Sequence, residues 1–227
     1  MQELVIGEKQ YRERVNLIKT KGVEKLGLAT AWAWYDDPKH LLFTLARYKF
    51  ISKMFAGFKN ILEVGCGDGF PSRLVAQTVG KMTGIDFDPE FINDAKNNVS
   101  EKWPISFFIH NVLKKTIEGD YDGIFALDVL EHIPKIDEEI FINNIINALH
   151  KNGVLIIGMP SIHSQVHASP QSKEGHVNCK TQSELQNLFL KYFHNVFMFS
   201  MNDEVVHTGY SPMAHYLLAV CSVKKVL

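Results

Sequence analysis

The stretch Asn60-Ile61-Leu62-Glu63-Val64-Gly65-Cys66-Gly67-Asp68-Gly69-Phe70 constrains this chain most, because a mostly apolar run ends in an acid and three alternating glycines. Such a run reads as a buried parallel strand that turns sharply at its carboxyl end. Open α/β sheets bind ligands at that end of their central strands, and glycines let the backbone lie close against them. Two phosphate-binding fingerprints are excluded. G-x-G-x-x-G needs a glycine where Phe70 stands, and a phosphate loop needs a Gly-Lys-Ser/Thr that is missing. Glu63, just before the first glycine, repels pyrophosphate and suits a cationic ligand.

Lys81-Met82-Thr83-Gly84-Ile85-Asp86 reads as a second strand ending in an acid, well placed to accept hydrogen bonds from a ribose diol. A positively charged nucleoside without phosphates fits both strand ends. Together, Glu63-Val64-Gly65-Cys66-Gly67-Asp68-Gly69 and Gly84-Ile85-Asp86 closely resemble motifs of the class I S-adenosylmethionine-dependent methyltransferases. Ala126-Leu127-Asp128-Val129-Leu130-Glu131-His132-Ile133 and Leu149-His150-Lys151-Asn152-Gly153-Val154-Leu155 follow in the family's order, and the resemblance spans roughly residues 55 to 160.

That resemblance implies an α/β fold: a Rossmann-like, doubly wound, seven-stranded and mostly parallel sheet with an antiparallel C-terminal hairpin, plus N-terminal helices. It implies S-adenosyl-L-methionine as cofactor. Glu63, Gly65, Cys66, Gly67, Asp68 and Gly69 inherit the methionine end, Asp86 the ribose, and Asn111 with Val112 the adenine. Asn111 stands where similar enzymes carry an acid or amide. Phe87 is read either as lying against the adenine or as packing beneath the following helix, and Asp128 is delivered to the site by the fourth strand.

At 227 residues with 46% hydrophobic content the chain can bury one substantial core. Residues 1–57 read as a helical cap or lid and 58–227 as the methyltransferase domain, with a substrate loop at about 160–180. A formal net charge of −1 offers no basic field for nucleic acid. No apolar run approaches the length of a membrane span, and the polar N-terminus has no signal-peptide layout, so no membrane partner is expected. Cys66, Cys179 and Cys221 include no C-x-x-C pair, which suits a reducing, cytoplasmic setting.

Tyr11, Val15 and Ile18 recur at helical spacing and predict an amphipathic helix ending near Lys21-Gly22. Trp32, Trp34 and Tyr35 fall in a stretch read as irregular, either an aromatic wall over the ligands or an anchor on the core, before a second helical pattern from His40 to Phe55. Later helices are expected over Pro71 to Val79, after Asp88-Pro89, after Asp137 and after the capping box Thr181-Gln182-Ser183-Glu184. Lys151-Asn152-Gly153 reads as the end of the helix begun at Asp137, and Val154 to Met159 as a fifth strand. Asn195 to Met201 and Ala214 to Val223 read as two late strands joined without a helix, hence antiparallel or separately paired.

Methyl transfer from a sulfonium is an in-line displacement whose leaving thioether needs no proton, so the protein chiefly aligns the reactants and removes an acceptor proton. His132, His163, His176 and His207 are the candidate bases. The spacings H-x-x-x-H (His163, His167) and H-x-x-C (His176, Cys179) superficially permit zinc, but the polar segment lacks a paired C-x-x-C and reads as a substrate loop, so no metal is assigned. Asp128-Val129-Leu130-Glu131-His132 stands where nucleic-acid amino methylases carry an Asn/Asp-Pro-Pro-Tyr/Phe motif and is similar instead to the group that methylates small molecules; the histidine, serine and asparagine of the expected acceptor loops favour a polar metabolite, such as a sugar or nucleotide sugar, methylated on oxygen or nitrogen. Two alternatives remain: an NAD-dependent oxidoreductase, and a non-catalytic cofactor-binding interaction module.

Overall fold

Five short apolar runs, each closed by a turn, form the parallel half of one sheet in this computed structural model, which describes residues 8–226. The first seven residues and Leu227, the outer ends of the expected 1–57 and 58–227 segments, lie outside the described residues. Strands β1 (Asn60–Val64), β2 (Lys81–Asp86), β3 (Ser106–Ile109), β4 (Tyr121–Leu127) and β5 (Leu149–Pro160) run parallel in the order β3-β2-β1-β4-β5. The order reverses between β1 and β4, which opens a crevice at their carboxyl ends.

The C-terminal strands β6 (Phe193–Asn202), β7 (Val205–His207) and β8 (Tyr216–Lys224) extend the sheet antiparallel, in the order β5-β8-β6-β7. The sheet thus has eight strands rather than seven. The added one is β7, a three-residue pairing inside the stretch read as a loop, where Asn202 meets Val205 across a tight turn.

Among the described residues seven helices lie around it: α1 (Lys9–Lys21), α3 (Pro38–Met54), α4 (Arg73–Ala76), α5 (Pro89–Asn97), α6 (Glu138–Ala148), α7 (Pro170–Gly175) and α8 (Gln182–Leu190). An eighth, α2 (Leu28–Asp36), corrects the irregular reading of the Trp32 to Tyr35 segment. Its cap is not in its own sequence. Asp94 accepts from the Leu28 backbone at 2.9 Å and Asp68 from the Thr30 backbone at 2.7 Å, so two distant carboxylates satisfy the first-turn N–H groups and oppose the helix dipole. Trp32 and Trp34 are 64% and 58% exposed, which removes the core-anchor alternative.

The two faces of the sheet each carry a core. Ile142, Ile145 and Phe189 of α6 and α8 cover one, and Tyr48, Ile51 and Ile92 of α3 and α5, with Phe55 just past α3, cover the other. The strong start signals are realised: Asp88 caps α5, and Thr181 and Glu184 exchange both bonds of a capping box at α8. Two boundaries move. Helix α4 is only four residues long, and β5 begins at Leu149, so Lys151-Asn152-Gly153 is strand, not helix end. Tyr121 pairs with Leu149 ahead of an irregularity in the β4–β5 ladder, and the strand continues through the glycine. The apolar residues of α1, including Tyr11, Val15 and Ile18, are exposed.

Candidate active site

The turn after β1 is built by its own backbone. Gly65 and Cys66 donate to the Ile85 carbonyl at 2.8 and 3.1 Å, and Gly67 donates to the Asp86 carboxylate at 3.0 Å. Gly65 has φ 77°, and a Cβ there would stand 2.3 Å from the Val129 methyl, so no other residue fits without displacing the wall opposite.

Above this turn a cleft of about 590 Å³ runs across the carboxyl ends of β1, β2, β3 and β4. That volume is in the range of ligand sites. Of the residues singled out for the cofactor, Gly65, Asp86, Phe87, Asn111, Val112 and Asp128 line it. Phe87 is 69% exposed at its rim rather than packed beneath α5. Glu63, Cys66, Gly67, Asp68 and Gly69 are not in the lining; they build the floor and its supports. Glu63 is buried and accepts a 2.6 Å hydrogen bond from the Tyr48 hydroxyl of α3. Asp68 is buried and turned toward α2, where it accepts from both the backbone and the hydroxyl of Thr30.

The four candidate histidines separate. His132 lines the cleft, and His176 from the segment after α7 stacks edge-on against it with ring centroids 5.2 Å apart. His207 has both ring nitrogens engaged inside the C-terminal hairpin, with Asn202 at 2.7 Å and the Gly209 backbone at 3.0 Å. His163 is exposed at the start of a short 3₁₀ segment and is also outside the cleft lining. Burial and then the nearby His132 hold the His176 imidazole below its ordinary pKa, against a weaker upward pull from Asp128.

One wall of the cleft rests on a charge cluster that sequence reasoning missed. Arg47 of α3 is buried, pairs with Asp128 at 2.8 Å and lies 3.8 Å above the Tyr216 ring. Burial works against its charge, but Asp128, Tyr216 and Glu131 outweigh that and raise its pKa overall. Asp128 itself has φ 56°, a left-handed conformation that aspartate tolerates better than most residues and that the ion pair helps to hold. Beside it, burial first and then the Asp128 charge push the Glu131 carboxyl well above the usual range. A signal existed: Arg47 falls beside the buried stripe Leu41, Tyr48 and Ile51 of α3 and sets a charge within it.

Over residues 58–200 the chain matches the family model described as a methyltransferase domain, well over half its length. It belongs to the class I S-adenosylmethionine-dependent methyltransferases. Among curated relatives, the ubiquinone biosynthesis O-methyltransferase of Shewanella halifaxensis is 29% identical over 114 residues, covering 46% of this chain and 48% of the relative. The chain spans about half the length of the curated relatives it matches. Its fold is shared with N-methyltransferase NodS from Bradyrhizobium japonicum, solved with S-adenosyl-l-homocysteine, at a TM-score of 0.66 and 21% identity, covering 85% of this chain and 91% of that one. It is also shared with a TehB-like methyltransferase from Corynebacterium glutamicum, at a TM-score of 0.55 and 20% identity over 95% and 97% of the two chains. Among the described residues no helix is long and apolar enough to cross a membrane.

The buried acid under the glycine turn gives the fold's stability a pH dependence. Burial lifts the Glu63 carboxyl from 4.5 to about 7, with Asp68 and Asp86 adding to the shift and Tyr48 opposing it. Between those values the unfolded chain has lost a proton that the folded chain keeps. This contribution is therefore complete below pH 4.5, declines as pH rises toward 7 and levels off beyond it, a change of about 3 kcal/mol at 1.36 kcal/mol per unit. Glu63→Gln stays neutral and keeps an acceptor for Tyr48. Its melting temperature relative to wild type should rise by several degrees between pH 5 and pH 8, and a pH-independent difference would refute the assignment.

Proposed function

We propose that the cleft binds S-adenosylmethionine and that the chain transfers its methyl group to an oxygen or nitrogen of a small polar metabolite. The observation that carries this is the Asp86 carboxylate. It stands at the cleft edge of β2, one strand from the glycine turn, with lone pairs left after accepting from Gly67 and Asp88. In this reading Asp86 takes the ribose diol, Phe87, Asn111 and Val112 flank the adenine, and Gly65 with Asp128 borders the methionine portion. Glu63 and Asp68 act from beneath, one holding β1 to α3 and the other tying α2 to the turn. In the same reading the N-terminal segment assigned to 1–57, described from residue 8, serves as the cap, and the segment at about 160–180 meets the acceptor.

In this reading the acceptor proton leaves on the side of the cleft lined by His132, against which His176 packs. The printed name of the curated relatives, an O-methyltransferase, supports oxygen as the receiving atom. The polar strap that carries His163, Gln165 and His176 suits a hydroxylated acceptor of the sugar or nucleotide-sugar class. Three free thiols suit a cytoplasmic setting, and the Cys179 thiol is raised to about 11, chiefly by burial.

Calorimetric titration with S-adenosylmethionine, S-adenosylhomocysteine and NADH tests the proposal. Micromolar binding of the first two without an NADH response is expected. Binding of NADH alone would replace this reading with a dehydrogenase, and cofactor binding without turnover across a broad acceptor panel would replace it with a binding module.

A further inference from the structure

Glu131 is fully buried, and among the described residues neither of its carboxylate oxygens has a hydrogen-bond partner. A buried carboxylate in that state lacks a cation or a donor. Arg47 is committed elsewhere, to Asp128 and the Tyr216 ring. What faces Glu131 is a pair of imidazoles: one donor atom each from Glu131, His132 and His176 lie within 4.8 Å of one another.

Each ring has one nitrogen engaged by a fixed acceptor. His132 donates from Nδ1 to the Gly175 carbonyl at 2.9 Å, and His176 donates from Nδ1 to the Gln165 side-chain oxygen at 2.8 Å. An imidazole whose proton is fixed on Nδ1 presents its lone pair on Nε2, the arrangement that partners behind a metal ligand impose. The backbone around the cluster is pinned as well. Asn178 donates to the Glu131 carbonyl at 3.0 Å, and its side chain joins Lys180 on the buried Glu138 carboxylate of α6, so the strap carrying His176 is tied to the segment carrying His132.

We propose that Glu131, His132 and His176 form a binding site for one divalent first-row transition ion, of which zinc is the representative. Two imidazoles and a carboxylate suit zinc, manganese, iron or cobalt, whereas magnesium and calcium favour oxygen donors throughout. Three protein ligands leave coordination positions open, the pattern of a reactive rather than a structural site. Metal–donor bonds of about 2.0–2.2 Å in a tetrahedral site bring donors to roughly 3.3–3.6 Å apart, so the side chains close inward by up to about 1 Å each. Exposed His132 and half-buried His176 have room to do so.

Because His132 also lines the cleft, the ion stands at the wall of the cofactor site. Resting on the methyl-transfer reading, its role is to take an acceptor hydroxyl as a ligand and ease loss of that proton to solvent. The acceptor oxygen then forms the new O–CH₃ bond as the S–CH₃ bond breaks, and the sulfur keeps the electron pair as S-adenosylhomocysteine. The acceptor class is thereby narrowed to hydroxyl compounds.

The test uses untagged protein stripped with a chelator, titrated with Zn²⁺ by calorimetry and with Co²⁺ by visible absorption, alongside a separate S-adenosylhomocysteine titration. One Zn²⁺ per chain and a cobalt d–d band are expected. Glu131→Gln and His176→Ala should each weaken Zn²⁺ at least about tenfold, since even partners behind metal ligands are worth 10- to 100-fold. His167→Ala, on the same strap but outside the cluster, should bind as wild type does. Absence of saturable binding, or wild-type affinity in both ligand variants, would overturn the site. Zinc binding by a protein that ignores S-adenosylhomocysteine would keep the site and overturn its role in methyl transfer.

Discussion

Asp86→Ala is expected to bind S-adenosylhomocysteine at least about tenfold more weakly than wild type. A charge-assisted hydrogen bond is worth roughly 1.5 to 3 kcal/mol, the ribose diol offers two donors, and 1.4 kcal/mol is a factor of ten. The same carboxylate organises the unliganded site: one oxygen accepts from Gly67 and the other from Asp88, each at 3.0 Å. Removing it frees the glycine turn and the entry to α5 together, so part of the loss arises from a loosened floor. Asp86→Asn separates the contributions. It keeps the shape and one acceptor oxygen but no charge, so its affinity should fall between those of wild type and the alanine variant. Calorimetry on folded variants decides, and unchanged affinity in Asp86→Ala would remove the ribose assignment and with it the main support for the proposed cofactor pose.

The parts of the site nearest in sequence were the most legible. A strand, its terminal acid and the turn beyond it are local chemistry, so β1 with its glycines and β2 with Asp86 can be read from about ten consecutive residues each, and Asp86 does line the cleft. The capping box at Thr181 is local in the same sense and is realised in both bonds. What failed to be legible depends on distant partners. Helix α2 has no capping side chain of its own, and the acids that satisfy its first turn lie 38 and 66 residues further along the chain. The early start of β5 follows from pairing with β4, which no periodicity within residues 149–153 announces. His132 and His176 were both singled out, yet their separation of 44 positions in the chain hid that they stack together beside the buried Glu131. Arg47 was read only as one residue of a helical pattern, since its partner Asp128 lies 81 residues away.

That partner makes Arg47→Met the substitution with the largest expected cost to stability. Removing one member of a buried ion pair is worth about 3 to 5 kcal/mol, because the other charge stays behind without compensation. Here the Arg47 side chain is 8% exposed and that of Asp128 36%, so water relieves part of the penalty and the lower end, about 3 kcal/mol, is expected. Methionine fills much of the volume over the Tyr216 ring, so the loss reads the charge rather than a cavity. Asp128 would then stand beside Glu131 with no cation between them, and its left-handed backbone would lose the pair that holds it. Arg47→Met/Asp128→Asn should recover a large part of the stability, because the stranded charge is gone. Arg47→Lys should recover less, since an ammonium neither stacks flat on the ring nor keeps the guanidinium's fixed fork of donors. Urea unfolding of the three variants measures all of this, and an Arg47→Met midpoint equal to wild type would mean that the pair holds neither the corner of the cleft nor α3 against it.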